Sequence, residues 1–371
     1  MATPYLHLRI ARRLKSLREK QGLTQQQLSP QLGFNDRQTL AAIEAGERQI
    51  APAELAKAAE LLGVTPDFFT DPFRLEGEGA FSFRAKDVAA EELDAFEARA
   101  GRWIATYREL GVESGVAPPR LGTKLELGAG SSWEDAHACA DELRRRWALG
   151  DVPAAELEAA VERELGALVL NVDAPRGISG AASQLPGLHT ILINRREPVG
   201  RRSYDLGHEL FHVLTWDAMP PARVEPWDRR RAKGNRVEQL AEQFAAALLM
   251  PAPVVATAWE RRGDSELFAW ASTTAGSLRV SVPAFAWRLH NLGYITRAEV
   301  DDVRERHESR ERRTSRHPVP PLFSRSFVAR VHEGVESGRL SLRRAARLLD
   351  LEPLAFAETC RAYGLTLSYE M

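Results

Sequence analysis

The sequence predicts a mainly α chain with one small β-sheet, an α+β fold. Three observations carry this reading. Apolar residues recur at helical spacing in segment after segment, from Leu8 to Leu17, through Ala89 to Leu110, to residues 320–371. Only two short runs, Leu168 to Val172 and Thr190 to Asn194, are apolar and β-branched enough to read as strands. Gly- and Pro-containing turn signals cut the chain into four parts: 1–73, 74–131, 132–262 and 263–371. The 371 residues suggest two or three domains, at roughly 150 residues each. With 44% hydrophobic residues, 27% charged residues and a net charge of −1, the chain is not of the disordered type. A near-zero total charge does not exclude nucleic acid, because local basic faces matter more than the sum.

Cys139 and Cys360 form no CxxC pair, which excludes a disulfide framework and speaks against a cysteine-based metal site. That usage points to a reducing cytoplasm. Met1 to Arg13 has no apolar core before its basic residues and does not read as a secretion signal. The longest apolar stretch, Phe244 to Pro251, is too short to span a bilayer, so no membrane partner is expected.

Residues 1–73 read as a five-helix domain. Leu8 to Leu17 is amphipathic, with Arg9, Arg12, Arg13, Lys15 and Arg18 on its polar faces. Thr24 is a good N-cap for the next helix, which ends near Leu32-Gly33, where Gly33 supplies a sharp turn. Asp36 to Glu44 is a third helix, stopped by Ala45-Gly46. Pro52 to Leu62 is a fourth, followed by Gly63-Val64-Thr65-Pro66-Asp67-Phe68-Phe69. This order resembles the XRE/Cro-type helix-turn-helix family over nearly all of 8–70. The matching features are the Thr-Gln helix start, the Leu-Gly turn, the Ile-Glu-x-Gly close and the Pro-Asp-Phe-Phe end. The stretch between Gly33 and Ile43 is longer than the family spacing by about one residue, which leaves the register of the recognition helix open.

The resemblance implies DNA, an operator, as a partner, with the second helix of the motif in the major groove. Asn35, Arg37 and Gln38 are the candidates for base edges, since Arg pairs with guanine and Asn or Gln with adenine. Gln25, Gln26, Thr39 and Arg48 complete the DNA-contact set, with Gln25, Gln26 and Arg48 suited to phosphates. The domain carries nine Lys/Arg against eight Asp/Glu, a weak electrostatic footprint. A module used only for dimerisation or partner docking is the competing reading.

Residues 74–131 read as a helical linker region: a Gly-rich start, EGEGAFSFRAK, the helix from Ala89 to Leu110, and an exit through GVAPPRLG. In the third part, Ser132 caps an amphipathic helix, Ala154 to Leu165 forms another, and the two strand runs follow. The segment PRGISGAASQLPG between the strands reads as loop or irregular edge strand.

His208-Glu209-Leu210-Phe211-His212 is an HExxH pentad. On a helix, residues four apart share a face, so both imidazoles reach one ion, and Glu209 lies beside a metal-bound water. By composition, the pentad arises by chance in roughly one chain of this size in a hundred. The plainer reading of two histidines on one helix is a satisfied structural pair. A second helix, Val237 to Leu249, stopped by Pro251, offers a carboxylate that would leave a fourth position to water, as catalytic zinc requires.

Residues 132–251 resemble the ImmA/IrrE family of metallopeptidases. The blocks that carry this are Gly177 to Gly180, Ile191 to Glu197, Arg201 to Leu214 and Val237 to Pro251. The resemblance implies a zincin-like domain binding Zn2+ through His208, His212 and Glu238, with Glu209 as catalytic base. Glu242, one turn after Glu238, is the rival ligand. Tyr204 is a possible oxyanion helper by proximity alone, and a core aromatic is the equal alternative. Asp205, Asp217 or backbone carbonyls are candidates to orient the imidazoles.

The basic stretch Arg223 to Arg236, with Arg229, Arg230, Arg231 and Lys233, reads as a solvated loop or a contact to DNA or acidic substrate. Arg304 to Arg316 reads as a solvated helix end plus linker. The helical C-terminal part ends in a small module, Ser341 to Leu349, after a turn at Gly338. It has no chemical signature, and core packing, dimerisation or partner binding are open to it.

The functional expectation is a zinc metalloendopeptidase with a DNA-binding domain. By resemblance, its substrate is a repressor or antitoxin protein, cut in a stress, mobile-element or toxin-antitoxin setting. Self-cleavage and a homodimer are compatible with it. The alternative is a transcriptional regulator or antitoxin whose peptidase-like domain senses or binds without turnover.

Overall fold

The computed structural model describes residues 6–113, 123–226, 235–311 and 318–368. The exit GVAPPRLG, the residues Arg229, Arg230, Arg231 and Lys233, and the end of the Arg304 to Arg316 run lie outside them. The described chain is α+β, as the sequence predicts: helices surround one five-stranded sheet.

Five helices form the N-terminal domain: α1 (Leu6–Lys20), α2 (Gln25–Leu32), α3 (Arg37–Glu44), α4 (Pro52–Leu61) and α5 (Asp67–Thr70). Thr24 and Gln27 close a capping box on α2, and Gly33, at φ 88°, ends it in the left-handed region that glycine favours. Asp36 caps α3, which fixes the register the sequence left open: Asn35 lies in the turn, and Arg37 and Gln38 open the helix. The domain has its own apolar core of Ile10, Leu14, Leu28, Leu40, Ile43 and Phe69 with their neighbours.

Charge ties this domain to the rest. Arg13 is fully buried and donates to the carbonyls of Phe68 and Asp71 at 2.9 Å, to that of Arg74, and to Glu78 at 3.2 Å. Arg108 reaches the other Glu78 oxygen at 2.9 Å, and Arg9 pairs with Glu109 at 3.0 Å. Burial holds the Arg13 pKa down to about 10 against the pull of Glu78. A buried cation with every carboxylate matched is costly to break on one side only.

The segment expected as a helical linker contributes a strand. β1 (Ala80–Ala85) precedes α6 (Ala90–Glu113), and β1 is an internal strand of the sheet. Then come α7 (Trp133–Arg146), α8 (Pro153–Leu165), β2 (Leu168–Val172), β3 (Ile178–Leu185), β4 (Leu188–Asn194), α9 (Val199–Thr215) and β5 (Val224–Pro226). The strand order is β2-β4-β3-β1-β5. β3 and β4 form a hairpin, and β3 is a buried central strand rather than a loop or irregular edge. β1 runs antiparallel to β3 and parallel to β5, with Arg84 opposite Gly180.

Alternation assigns the two faces of the sheet. Phe81 and Phe83 of β1 and Leu168, Leu170 and Val172 of β2 pack with α6 and the C-terminal helices α15 (Arg325–Glu336), α16 (Leu342–Leu348) and α17 (Pro353–Ala362). Val169, Ala182, Ile191 and Ile193 face the other way, onto α9 and α10 (Arg236–Leu249). The core on that second face does not stop at residue 262. It continues through α11 (Ala252–Glu260), α12 (Leu267–Ser277), α13 (Val282–Asn291) and α14 (Arg297–Glu311), with Ala271, Phe285, Leu289 and Val300 inside it. Among the described residues no single helix is long and apolar enough to cross a membrane.

Candidate metal centre

The centre lies between α9 and α10, under the β3–β1 part of the sheet. Leu206, Leu210, Val213 and Leu214 pack α9 into the core, which turns the opposite stripe, Asp205, His208, Glu209 and His212, inward as well. Helical spacing sets the two imidazoles side by side, with His208 Nε2 and His212 Nε2 3.1 Å apart. Asn235 fixes the start of α10: its side-chain oxygen accepts from the Val237 and Glu238 backbone N–H groups. Such a cap stabilises a helix by about 1 kcal/mol. Its amide donates to Glu225 on β5 at 3.2 Å, so strand and helix are tied at the start of α10. At the other end of α10, Arg288 holds the Met250 carbonyl at 3.0 Å.

These constraints aim Glu238 at the histidines. Its carboxylate oxygens lie 3.3 Å from His208 Nε2 and 3.1 Å from His212 Nε2. The ligand atoms of His208, His212 and Glu238 all lie within 4.8 Å of one another, and Glu242 is not in that group. Two imidazoles facing each other through Nε2 at this distance are satisfied when one ring donates to the other or when a cation lies between them. His208, His212 and Glu238 are also a catalytic zinc donor set, for which bonds of about 2.0–2.1 Å give ligand spacings of this size. The residues present therefore suit a divalent ion.

The electrostatics of His208 and Glu238 agree with a ligand role. All three side chains are buried, with exposures of 1%, 1% and 2%. Burial drives the His208 pKa down to about 3, helped by the Arg84 charge, which leaves the imidazole neutral and able to ligate. For His212, burial is outweighed by the hydrogen bond and charge of Glu238, and the pKa is raised. Glu238 is held far below the usual carboxylate range: burial opposes this, but the two histidines prevail. Burial pushes Glu209 up to about 8, against the pull of His212 and Arg84. A divalent ion beside Glu209 adds positive charge and favours its ionised form.

The sequence reading missed Arg84. It arrives from β1, is buried, and lies 3.5 Å from Asp205 with its guanidinium 6.0 Å from the centre of the Tyr204 ring. Its only sequence signal is an arginine among alternating apolar residues. Gly180, opposite it, is close to the base: a methyl group there would sit 3.4 Å from Glu209 Cγ and 3.3 Å from the Leu192 carbonyl oxygen.

Other expected residues fall elsewhere. Tyr204 donates its hydroxyl to the Glu242 carbonyl at 3.0 Å, so that hydrogen is already committed. Neither histidine has an Nδ1 partner among the described residues. Asp205 pairs with Arg84 and Arg201, and Asp217 with Lys124 and Gln184. In the N-terminal domain, Gln26, Asn35, Arg37 and Gln38 are exposed. Gln25 instead donates to the buried Glu44 at 2.8 Å, Thr39 is bonded to Asp36, and Arg48 pairs with Glu54 at 2.8 Å.

Comparison with known families locates both halves. Residues 14–69 match the family model described as helix-turn-helix. Residues 163–290 match the metallopeptidase family described as the IrrE N-terminal-like domain. The chain thus joins a helix-turn-helix domain to an IrrE-like peptidase domain, a combination that fits a regulatory role. No curated protein matches the chain.

Proposed function

We propose that this chain is a zinc-dependent regulatory endopeptidase that acts from DNA and cleaves a repressor or antitoxin protein in the cytoplasm. The observation that carries this is the meeting of His208, His212 and Glu238 beside Glu209, at the end of a helix–sheet framework that holds all four. Zinc, when bound there, supplies a Lewis acid for the scissile carbonyl and acidifies water. Glu209 takes the proton of the attacking water as the new C–O bond forms. It returns that proton to the amide nitrogen as the C–N bond breaks, so one water is added and no other reactant is consumed. Arg84 adds fixed positive charge and steadies Asp205, one turn before the ligands. Exposed Arg37, Gln38 and Asn35 would read an operator, and Gln26 would contact its backbone. Gln25, Thr39 and Arg48 would act less directly, by supporting the motif.

A second reading draws on burial. Glu209 is 1% exposed, so a substrate reaches it only after the residues that cover it move. A regulator that senses a ligand or partner without turnover needs no such access. The test is zinc content together with cleavage of candidate repressor and antitoxin proteins, by wild type and by Glu209→Gln. Cleavage by wild type alone supports the peptidase. Cleavage that persists in the variant overturns the base assignment. Zinc and operator binding with no cleavage supports the second reading.

A further inference from the structure

We infer that α16 and α17 form a second helix-turn-helix unit and that this unit contacts duplex DNA. The basis is a position-by-position match over the first helix and the turn, within this one chain, to the N-terminal pair α2–α3, followed in each case by a second helix packed on the first. Ser341 caps α16 through the Arg344 N–H, as Thr24 caps α2 through the Gln27 N–H. Ala345 and Ala346 are buried where Leu28 and Ser29 are, and Leu349 where Leu32 is. Asp350 has φ 55° at the place of Gly33, φ 88°. Aspartate is among the few residues that tolerate this region.

The turn hydrogen bonds coincide too. Gly33 N–H donates to Pro30 at 3.0 Å, and Asp350 N–H to Arg347 at 3.2 Å. Phe34 N–H donates to Ser29 at 3.1 Å, and Leu351 N–H to Ala346 at 2.9 Å. Each second helix then packs back on its first. Leu40 and Ile43 do so in α3, and Phe356 and Cys360 in α17. The C-terminal turn is the tighter one, since α17 starts after Glu352, one position earlier in the alignment than α3 starts after Asp36, and without a side-chain cap. A three-to-four-residue turn of this kind sets the second helix across the first and outward, the arrangement that enters a major groove.

The exposed cations of the first helix, Arg343 and Arg347, favour an anionic partner, while α17 exposes Glu352 and Glu358 beside Arg361. From Thr24 to Gly46 there is one arginine and there are two acidic residues; from Ser341 to Gly364 there are four arginines and three acidic residues. Asp350 is paired with Arg102 at 3.4 Å, and Arg344 lies over the Phe73 ring. Arg343, Arg347 and Arg361 are exposed, two on the first helix and one on the second. Cations on the first helix suit phosphates, and Leu354, 56% exposed at the start of α17, suits a thymine methyl.

The test uses the full chain carrying Arg37→Ala and Gln38→Ala, which removes the base-edge candidates of the N-terminal unit, and a pool of random-sequence duplexes. In that background, Arg343→Ala, Arg347→Ala and Arg361→Ala together should lower affinity by about tenfold or more at low salt. They should also flatten the slope of log affinity against log salt by about two to three, since each lost phosphate contact removes about 0.9. The same three positions changed to lysine should keep most of the slope. Leu354→Glu, at a position 56% exposed, should weaken binding independently. Unchanged affinity and slope in the triple-alanine chain overturn the inference, and so does an equal loss in the triple-lysine chain. Capture of a protein through this face, with DNA binding unaltered, overturns it as well.

Discussion

Arg84 on β1 and Asp205 on α9 are 3.5 Å apart and both buried, and Asp205 lies three residues before the first metal-facing histidine. This contact joins the strand that follows the N-terminal domain to the helix that carries the site. Glu78, which the buried Arg13 holds, lies just ahead of the same strand.

Removing one partner of a buried pair leaves an uncompensated charge, at a cost of about 3–5 kcal/mol. Arg84→Met should therefore lower the urea midpoint of the peptidase domain clearly. Arg201, 3.8 Å from Asp205, softens but does not cancel the loss. Adding Asp205→Asn to Arg84→Met should recover much of it, because the stranded charge is then gone. A single variant as stable as wild type would show that the pair contributes nothing.

Glu238 and Glu242 separate the two ligand readings. Glu238 touches both imidazoles, while Glu242 lies outside the converging group. Glu238→Gln should weaken zinc binding by about 100-fold or more, the scale at which even indirect supports of a metal site begin to tell. Glu242→Gln should leave it near wild type. Competition against a chromophoric chelator reads both, and equal losses would return the ligand to question.

Much of this was legible in the sequence because the signals are local. The HExxH spacing, the Thr24 and Ser132 caps and the periodicity of α9 and α10 each lie within a few turns of chain. What escaped is non-local. β3 reads Ile-Ser-Gly-Ala-Ala-Ser-Gln-Leu, small residues without alternation, because it is covered on both faces and flanked on both edges. β1 pairs with residues about a hundred positions away, and nothing in AFSFRA announces that partner. Arg84 therefore could not be joined to Asp205 without the sheet. The same holds for Arg48, whose pairing with Glu54 across the turn before α4 is not announced by its charge.

His189, on β4, gives a pH dependence. Burial lowers its pKa to about 4, against the pull of Asp217. The unfolded chain, with its histidine near 6.5, then binds more protons than the native one between those values. Stability is full above pH 6.5 and is lost as pH falls toward 4, by about 2–3 kcal/mol. His189→Gln should flatten the stability profile across that window without altering it above pH 7. Urea midpoints at closely spaced pH values measure this, and an unchanged slope in the variant assigns the acid sensitivity elsewhere.

Gly200 sits in the first turn of α9 against the junction of α12 and α13. A methyl group there would lie 2.3 Å from the Val280 carbonyl carbon and 2.4 Å from the Ser281 nitrogen. Both are backbone atoms, held by the Val280 bond to Ala275 at 2.9 Å and by the Ser281 cap on α13. No side-chain rotation relieves the clash, so the helix or the junction must move. Gly200→Ala should then cost about 3 kcal/mol or more, at the upper end for overpacking. The displacement is transmitted along α9, so zinc affinity should fall with stability. Gly276→Ala in α12 is the control: its methyl meets nothing within 4 Å, and helix propensity makes it neutral or stabilising by up to about 1 kcal/mol. If Gly200→Ala matches that control in urea midpoint and zinc affinity, the junction is not what sets the position of the metal-bearing helix.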